Sequence, residues 1–117
     1  MNEFSLSGKE RRADERKPLR SQAHLLPLGQ APFAVRLIDI SEGGLRVACS
    51  VNPPLMTVSL LRMSVPTADR AAPATVEVKV QVINSIYARA EDGFRVGMQF
   101  LELSSAHRDV ISAYLAT

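Results

Sequence analysis

The chain has 117 residues, which is long enough for one domain with a modest core and too short for two. Its content of 46% hydrophobic and 22% charged residues is ordinary for a globular protein, and its apolar runs are all far shorter than the ~20 residues of a membrane-spanning helix. The first ten residues lack the apolar core of a secretory signal, and the single Cys49 cannot form an internal disulfide. We therefore expect a cytoplasmic protein without a membrane span.

The positive charge of the sequence is concentrated at its beginning. The formal net charge is +2, and residues 1–20 contain six basic and four acidic side chains. Residues 21–117 carry eight side chains of each sign, so all of the excess positive charge lies in the first twenty residues. This asymmetry predicts an anionic partner for the N-terminal arm, and the alternative is a solvated tail of scattered charges.

Six short strands with turn signals between them are predicted along the chain. They are Leu19–Leu28, Phe33–Ile40, Leu45–Ser50, Met56–Met63, Thr75–Ile83 and Phe94–Phe100. The fifth is the clearest, because four valines alternate there with polar residues. A polar turn at 88–93 follows it, and the chain then ends in an amphipathic helix, Ser105–Leu115, which Ser104 or Ser105 can cap. Strands without intervening helices indicate an all-β antiparallel barrel or sandwich, with the helix closing one end.

The turn between the second and third predicted strands carries a distinctive polar sequence, Asp39-Ile-Ser-Glu-Gly-Gly. Asp39 and Ser41 are two residues apart, so on an extended backbone both side chains point to the same face. There they can accept from an N–H-bearing ligand and donate to an anionic one. Gly43 and Gly44 can adopt the positive φ angles that a two-residue hairpin needs. The alternative is that Asp39 and Ser41 only cap the turn through local hydrogen bonds.

An R-x-x-x-R spacing lies in the basic arm, formed by Arg12 and Arg16 and immediately preceded by Arg11. Residues four apart share one side of a helix or a strand, so the two guanidiniums present their donors together. Guanine can accept such an arginine fork at its O6 and N7 atoms, and phosphate can accept it too. Arg16 and Arg20 satisfy the same spacing. We prefer Arg12 and Arg16, because Arg20 lies within the first predicted strand and Pro18 stiffens the later pair.

The combination of these motifs resembles the PilZ domain family. The matching residues are Arg12–Arg16 and Asp39–Gly44, in that order on a chain with six predicted strands and a closing helix. The run Val96–Phe100 is also similar to the glycine-centred last strand of that family. The resemblance covers residues 10–115. It implies a six-stranded antiparallel split β-barrel with a C-terminal α-helix closing one end.

The resemblance also implies a bacterial receptor for the second messenger cyclic di-GMP, which is a ligand and not a cofactor. Arg11, Arg12 and Arg16 would engage guanine edges and phosphates from a flexible arm at residues 10–18, and Arg11 would be needed if two stacked copies bind. We expect ligand binding to order the arm and so to change the surface shown to an unidentified effector protein. Residues 1–9 are predicted to form a disordered tail.

On the barrel side, the resemblance implies that Asp39 and Ser41 take guanine N–H groups and other polar ligand atoms. Gly44 would keep the turn tight and let the ligand approach the backbone. Residues 10–117 would form one PilZ-like domain, present as a monomer or a weak dimer.

Three other functions are possible for a chain of this composition. An enzyme is not expected, because His24 and His107 stand in neither a metal-binding nor a catalytic-triad spacing, and no metal site is predicted. A PilZ-like module that binds a protein but no nucleotide is the first alternative. A nucleic-acid binder that uses the basic arm is the second. The sequence contains only six aromatic residues, so a base-stacking platform is not favoured and no DNA partner is expected.

Overall fold

The structure is a computed structural model, and it describes residues 15–68 and 72–117. Within these ranges the chain forms a series of strands, one 3-10 turn at Arg89–Glu91 and one α-helix near the end. The strands are β1 Lys17–Pro18, β2 Gln22–Leu26, β3 Phe33–Ile40, β4 Gly44–Cys49, β5 Val58–Val65, β6 Ala74–Ala88 and β7 Gly93–Phe100, and the helix α1 is Ser105–Leu115.

The six longer strands form a closed antiparallel barrel. Around the ring their order is β3, β2, β5, β6, β7 and β4, and pairing between β3 and β4 closes the ring. The short β1 pairs with the end of β3, where Lys17 lies opposite Ile40 and Pro18 lies opposite Asp39. The predicted all-β, six-stranded antiparallel barrel with a C-terminal helix is confirmed, and the sandwich is excluded because no sheet edge separates β3 from β4.

The barrel is filled by the apolar residues that alternate along its strands. In β6 the side chains of Val76, Val78, Val80 and Val82 are each at most 3% exposed, while the residues between them face outward. Burial of a valine side chain contributes about 1.5–3 kcal/mol, so this one strand is a substantial part of the core. Cys49 is buried at the end of β4, as the alternation predicts for a small apolar residue.

The strand boundaries differ from the predictions in two places that matter for the site. The first predicted strand is divided, because Lys17–Pro18 pairs alone with β3 before β2 begins at Gln22. The strand predicted to end at Ile83 continues to Ala88, through a bulge between Val82 and Asn84. The predicted polar turn at 88–93 is thereby shortened to the 3-10 turn, which places Glu91 beside the barrel wall.

The helix α1 closes one end of the barrel. Ser104 is its N-cap and accepts a hydrogen bond from the His107 backbone N–H at 3.1 Å, as one of the two predicted caps. Ile111 is buried against the core. Tyr114, at the other end of the helix, donates from its hydroxyl to the Pro18 carbonyl oxygen at 2.6 Å, so β1 and α1 are joined. Neither of the described ranges contains a helix that is both long and apolar enough to cross a membrane.

Candidate functional site

The turn between β3 and β4 is held by its own hydrogen bonds. The backbone N–H of Ser41 donates to the Gly44 carbonyl oxygen at 2.8 Å, and the Ser41 hydroxyl donates to the same oxygen at 3.2 Å. Ser41 is only 3% exposed. Its hydroxyl therefore caps the turn in this structure, while its oxygen lone pairs stay available as acceptors.

The two glycines of the turn do not adopt the predicted positive φ angles, and only Gly44 is required by its surroundings. Gly29 alone among the described glycines has a positive φ, so the expectation of positive φ at Gly43 and Gly44 was wrong. Gly44 is required because a Cβ there would overlap the Met98 carbonyl oxygen and lie 3.1 Å from the Cα of Gln99. The Gly43 carbonyl oxygen accepts from the Phe100 N–H at 2.9 Å. The turn is thus packed closely against β7.

Asp39 lies at the end of β3 and holds two arginines. A bulge between Leu37 and Asp39 shifts the register, so that Asp39 faces Arg46 of β4 across the sheet. The Arg46 Nε donates to Oδ1 and Oδ2 at 3.1 and 3.0 Å, and its Nη2 donates to Oδ2. This hydrogen bonding raises the pKa of Arg46 above its usual value, against the effect of partial burial, so Arg46 remains charged.

Arg16 reaches the same carboxylate from the N-terminal arm. Its Nη1 donates to Asp39 Oδ1 at 3.2 Å, and its side chain is 37% exposed. The pairing of β1 with β3 brings it there, because Pro18 lies opposite Asp39. The structure therefore brings together Arg16, Asp39 and the turn of Ser41 and Gly44. The other two predicted site residues, Arg11 and Arg12, lie outside the described residues.

Arg20, the other member of the alternative R-x-x-x-R pair, lies at a second carboxylate. Its Nη1 is 3.6 Å from Oε1 of Glu91, which is only 6% exposed. Arg36 of β3 and Arg95 of β7 approach the same carboxylate at 3.5 and 3.7 Å. Arg16 and Arg20 thus serve different acidic residues in this structure.

Arg46 and the residues around Glu91 were not among the predicted site residues. Arg46 could have been found, because it is the one outward-facing residue between the buried Leu45 and Val47. The approach of Arg20, Arg36 and Arg95 to Glu91 joins four separate segments, and only the strand register reveals it.

A wide recess opens beside Arg16. It has a volume of about 690 Å³, within the range of about 300–1,000 Å³ that is common for ligand sites. Its lining includes Arg16 and Lys17 from the arm, Glu42 from the turn, and Leu115 and Thr117 from the end of the chain. In the part of the chain that the structure describes, no three His, Cys, Asp or Glu side chains come together as metal ligands would.

The sequence model of the PilZ domain family matches residues 10–117, so the chain belongs to this family. It is 34% identical over 94 residues to the flagellar brake protein YcgR of Xanthomonas campestris pv. campestris strain B100. The match covers 74% of this chain and 34% of that protein, so the chain spans about a third of its length. Membership of a family of receptors and adaptors supports the prediction that the chain is not an enzyme.

Two solved structures share the fold at low sequence identity. The inhibitor of motility MotI/DgrA of Bacillus subtilis superposes with a TM-score of 0.76 at 13% identity, over 86% of this chain and 47% of that one. The MrkH–c-di-GMP complex of K. pneumonia superposes with a TM-score of 0.64 at 15% identity, over 90% of this chain and 51% of that one. These similarities support the barrel architecture.

Proposed function

We propose that this chain is a bacterial, cytoplasmic receptor for cyclic di-GMP that acts as an adaptor. The observation that carries the proposal is the contact between Arg16 and Asp39, 3.2 Å apart at the turn of Ser41 and Gly44. It joins the two sequence motifs in space, although they are separated by 23 residues in the chain. The proposed ligand-binding residues are Arg11, Arg12, Arg16, Asp39, Ser41 and Gly44.

Each of these groups suits one part of the dinucleotide. The arginine forks of the arm match the O6 and N7 acceptors of guanine and the oxygens of the phosphodiesters. The Asp39 carboxylate accepts from guanine N–H groups, and the Ser41 oxygen accepts further hydrogen bonds. Gly44 fixes the turn against β7, so that these two acceptors have a rigid position.

The contact of Arg46 with Asp39 allows Arg16 to leave the same carboxylate. Asp39 is only 7% exposed, and a nearly buried carboxylate is costly without a cationic partner. Because Arg46 donates to both Asp39 oxygens, the carboxylate stays compensated when Arg16 turns towards a guanine or a phosphate. The Arg16–Asp39 contact then acts as a resting position for an arm that exchanges one anionic partner for another.

The same arm offers a route from the ligand to a partner protein. Lys17, next to Arg16, donates from Nζ to the Tyr114 carbonyl oxygen at 2.9 Å and lies 4.2 Å from the centre of the Tyr114 ring. A movement of the arm on ligand binding would change these contacts at the end of α1. We propose that this change of surface is what an effector protein recognises.

The names of the related proteins agree with this proposal. MrkH was solved as a complex with c-di-GMP, and the other two relatives are named as a flagellar brake and an inhibitor of motility. Control of motility is therefore the first cellular output to examine for this chain.

Calorimetric titration of the purified chain with cyclic di-GMP tests the proposal. Arg16→Ala should weaken binding by about tenfold or more, because it removes charge-assisted hydrogen bonds to the ligand. Arg62→Ala is the matched control, since Arg62 lies on β5, across the ring from β4, and pairs with Glu77 at 2.9 Å. Unchanged affinity in Arg16→Ala, or no heat with the unmodified chain, would overturn the assignment.

A further inference from the structure

The carboxylate of Glu91 gathers three guanidiniums on the outer wall of the barrel. Arg20, Arg36 and Arg95 each place one Nη atom 3.5–3.7 Å from a Glu91 oxygen. The Glu91 side chain is 6% exposed, whereas those of Arg20 and Arg36 are 62% and 58% exposed. A nearly buried acid therefore positions cations whose outer sides face solvent.

These arginines have more hydrogen-bonding capacity than Glu91 uses. The three ion-pair distances are longer than usual N–H···O hydrogen bonds. A direct hydrogen bond is made by Arg36 Nη2, which donates to the Glu91 backbone carbonyl oxygen at 2.6 Å. Arg95 Nε is buried and has no hydrogen-bond partner among the described residues. A buried donor without a partner is costly, so a rotation of the Arg95 side chain that brings Nε to an additional acceptor would be favoured.

The charge of this group is also unbalanced. Three guanidiniums surround one carboxylate, and an excess of positive charge remains even when the exposed Asp92 beside Glu91 is counted. Glu91 lowers the repulsion between the arginines enough to hold them together without neutralising them. Such an arrangement is preorganised for a compact anion.

The Glu91 group lies on the same outer wall as Asp39. On β4 the outward residues Arg46 and Ala48 are two apart, and they lie opposite Gly97 and Arg95 of β7. Ala48 lies between Arg36 of β3 and Arg95 of β7, so its small side chain forms the floor of the Glu91 group. Residues 17–19 run along β3, because β1 pairs with the end of β3 and the Leu19 N–H donates to the Ile38 carbonyl oxygen at 3.1 Å.

We propose that Glu91 arranges Arg20, Arg36 and Arg95 as a second oxyanion subsite, which binds a phosphate group. Planar guanidinium groups that approach from different segments of the chain suit the several oxygens of a tetrahedral phosphate. The subsite deepens the proposed function where the phosphate belongs to cyclic di-GMP. Arg16 and Arg20 are four residues apart, which limits their Cα separation to about 14 Å, so one dinucleotide or two stacked copies can contact both groups.

Two probes distinguish a nucleotide phosphate from a free phosphate. Cyclic di-GMP is titrated by calorimetry, and inorganic pyrophosphate is titrated while the arginine Nε–Hε signals are followed by NMR. Arg20→Gln is the preferred variant, because Arg20 is largely exposed and its loss leaves Glu91 with Arg36 and Arg95. Arg62→Gln removes the same charge across the ring and is the matched control. Arg95→Lys, which keeps the charge and loses the fork, is the second variant.

We expect Arg20→Gln to weaken binding of cyclic di-GMP by about tenfold, as for one lost charge-assisted hydrogen bond, and Arg62→Gln to leave it unchanged. Pyrophosphate should shift the Arg95 Nε–Hε signal of the unmodified chain, and less so in Arg20→Gln. If Arg20→Gln weakens binding of pyrophosphate alone, the subsite binds free phosphate. If it weakens binding of cyclic di-GMP alone, the subsite binds a phosphate group of the nucleotide.

The inference is overturned if Arg20→Gln and Arg95→Lys bind both probes as the unmodified chain does, while Arg16→Ala still loses cyclic di-GMP. That result would leave the proposed receptor function intact. If the unmodified chain binds no cyclic di-GMP, the receptor proposal fails by itself. The pyrophosphate titration then decides the oxyanion subsite independently.

Discussion

Asp39 and Glu91 are two nearly buried carboxylates on the same wall of the barrel, and they hold their arginines in different ways. Asp39 accepts from Arg46 at 3.0–3.1 Å through both oxygens, whereas each contact of the Glu91 carboxylate oxygens with an arginine is 3.5 Å or longer. The first arrangement is a close ion pair with one further arginine resting on it. The second is a loose group with unused donors. Close pairing fixes a position, and loose pairing leaves room for another anion.

We expect the largest difference between the two carboxylates in the free energy of unfolding of their alanine variants. Asp39→Ala removes the partner of a hydrogen-bonded, partly buried guanidinium, and we expect it to lower the free energy of unfolding by about 2 kcal/mol. Glu91→Ala should lower the free energy of unfolding by about 1 kcal/mol or less, because the contacts of the Glu91 carboxylate are longer and involve more exposed arginines. Urea unfolding followed by circular dichroism measures both. Equal decreases in the free energy of unfolding would show that the two carboxylates contribute equally to stability, and would contradict the comparison.

A second test compares the two arginines of Asp39. Arg46→Gln should lower the free energy of unfolding by about 1–2 kcal/mol, since it removes the contact to both oxygens. Arg16→Gln should lower it by less than about 0.5 kcal/mol, because its single contact is 37% exposed and leaves Asp39 paired with Arg46. The same urea experiment applies. A larger loss in Arg16→Gln would contradict the role of Arg16 as the releasable partner.

The barrel and most of its strands could be predicted from the sequence, because alternation of apolar and polar residues reports burial directly. The contact between Arg16 and Asp39 could be expected only from a family resemblance between two distant motifs. No sequence pattern predicts the bulge between Leu37 and Asp39. Without this bulge, Asp39 would not lie opposite Arg46 in the strand register. The φ angles at Gly43 and Gly44 were predicted wrongly. Glycine is demanded at Gly44 by the neighbouring strand β7 and not by the turn, whereas a Cβ at Gly43 would meet no atom within 4 Å.

The smallest expected difference lies in the response to salt. The loss of stability in Glu91→Ala should shrink by more than half between low salt and about 1 M NaCl, because Arg20 and Arg36 are more than half exposed and exposed charges are screened at that ionic strength. The cost of Asp39→Ala should change little, since its hydrogen bonds to Arg46 are short and partly shielded from solvent. Urea unfolding at the two salt concentrations gives both values. A parallel decrease for the two variants would remove the distinction between them.

The contact between Lys17 and Tyr114 has a practical consequence. Lys17 Nζ also donates to the Thr117 carbonyl oxygen at 3.2 Å, so the last residue of the chain lies beside the arm that carries Arg16. A fluorophore attached at Thr117 would therefore sit next to the segment that we propose to move, and it would report ligand binding optically if the arm responds as proposed. A purification tag fused at Thr117 would lie close to Lys17 and the arm. It should therefore be removed before the titration, so that it does not alter the measured affinity.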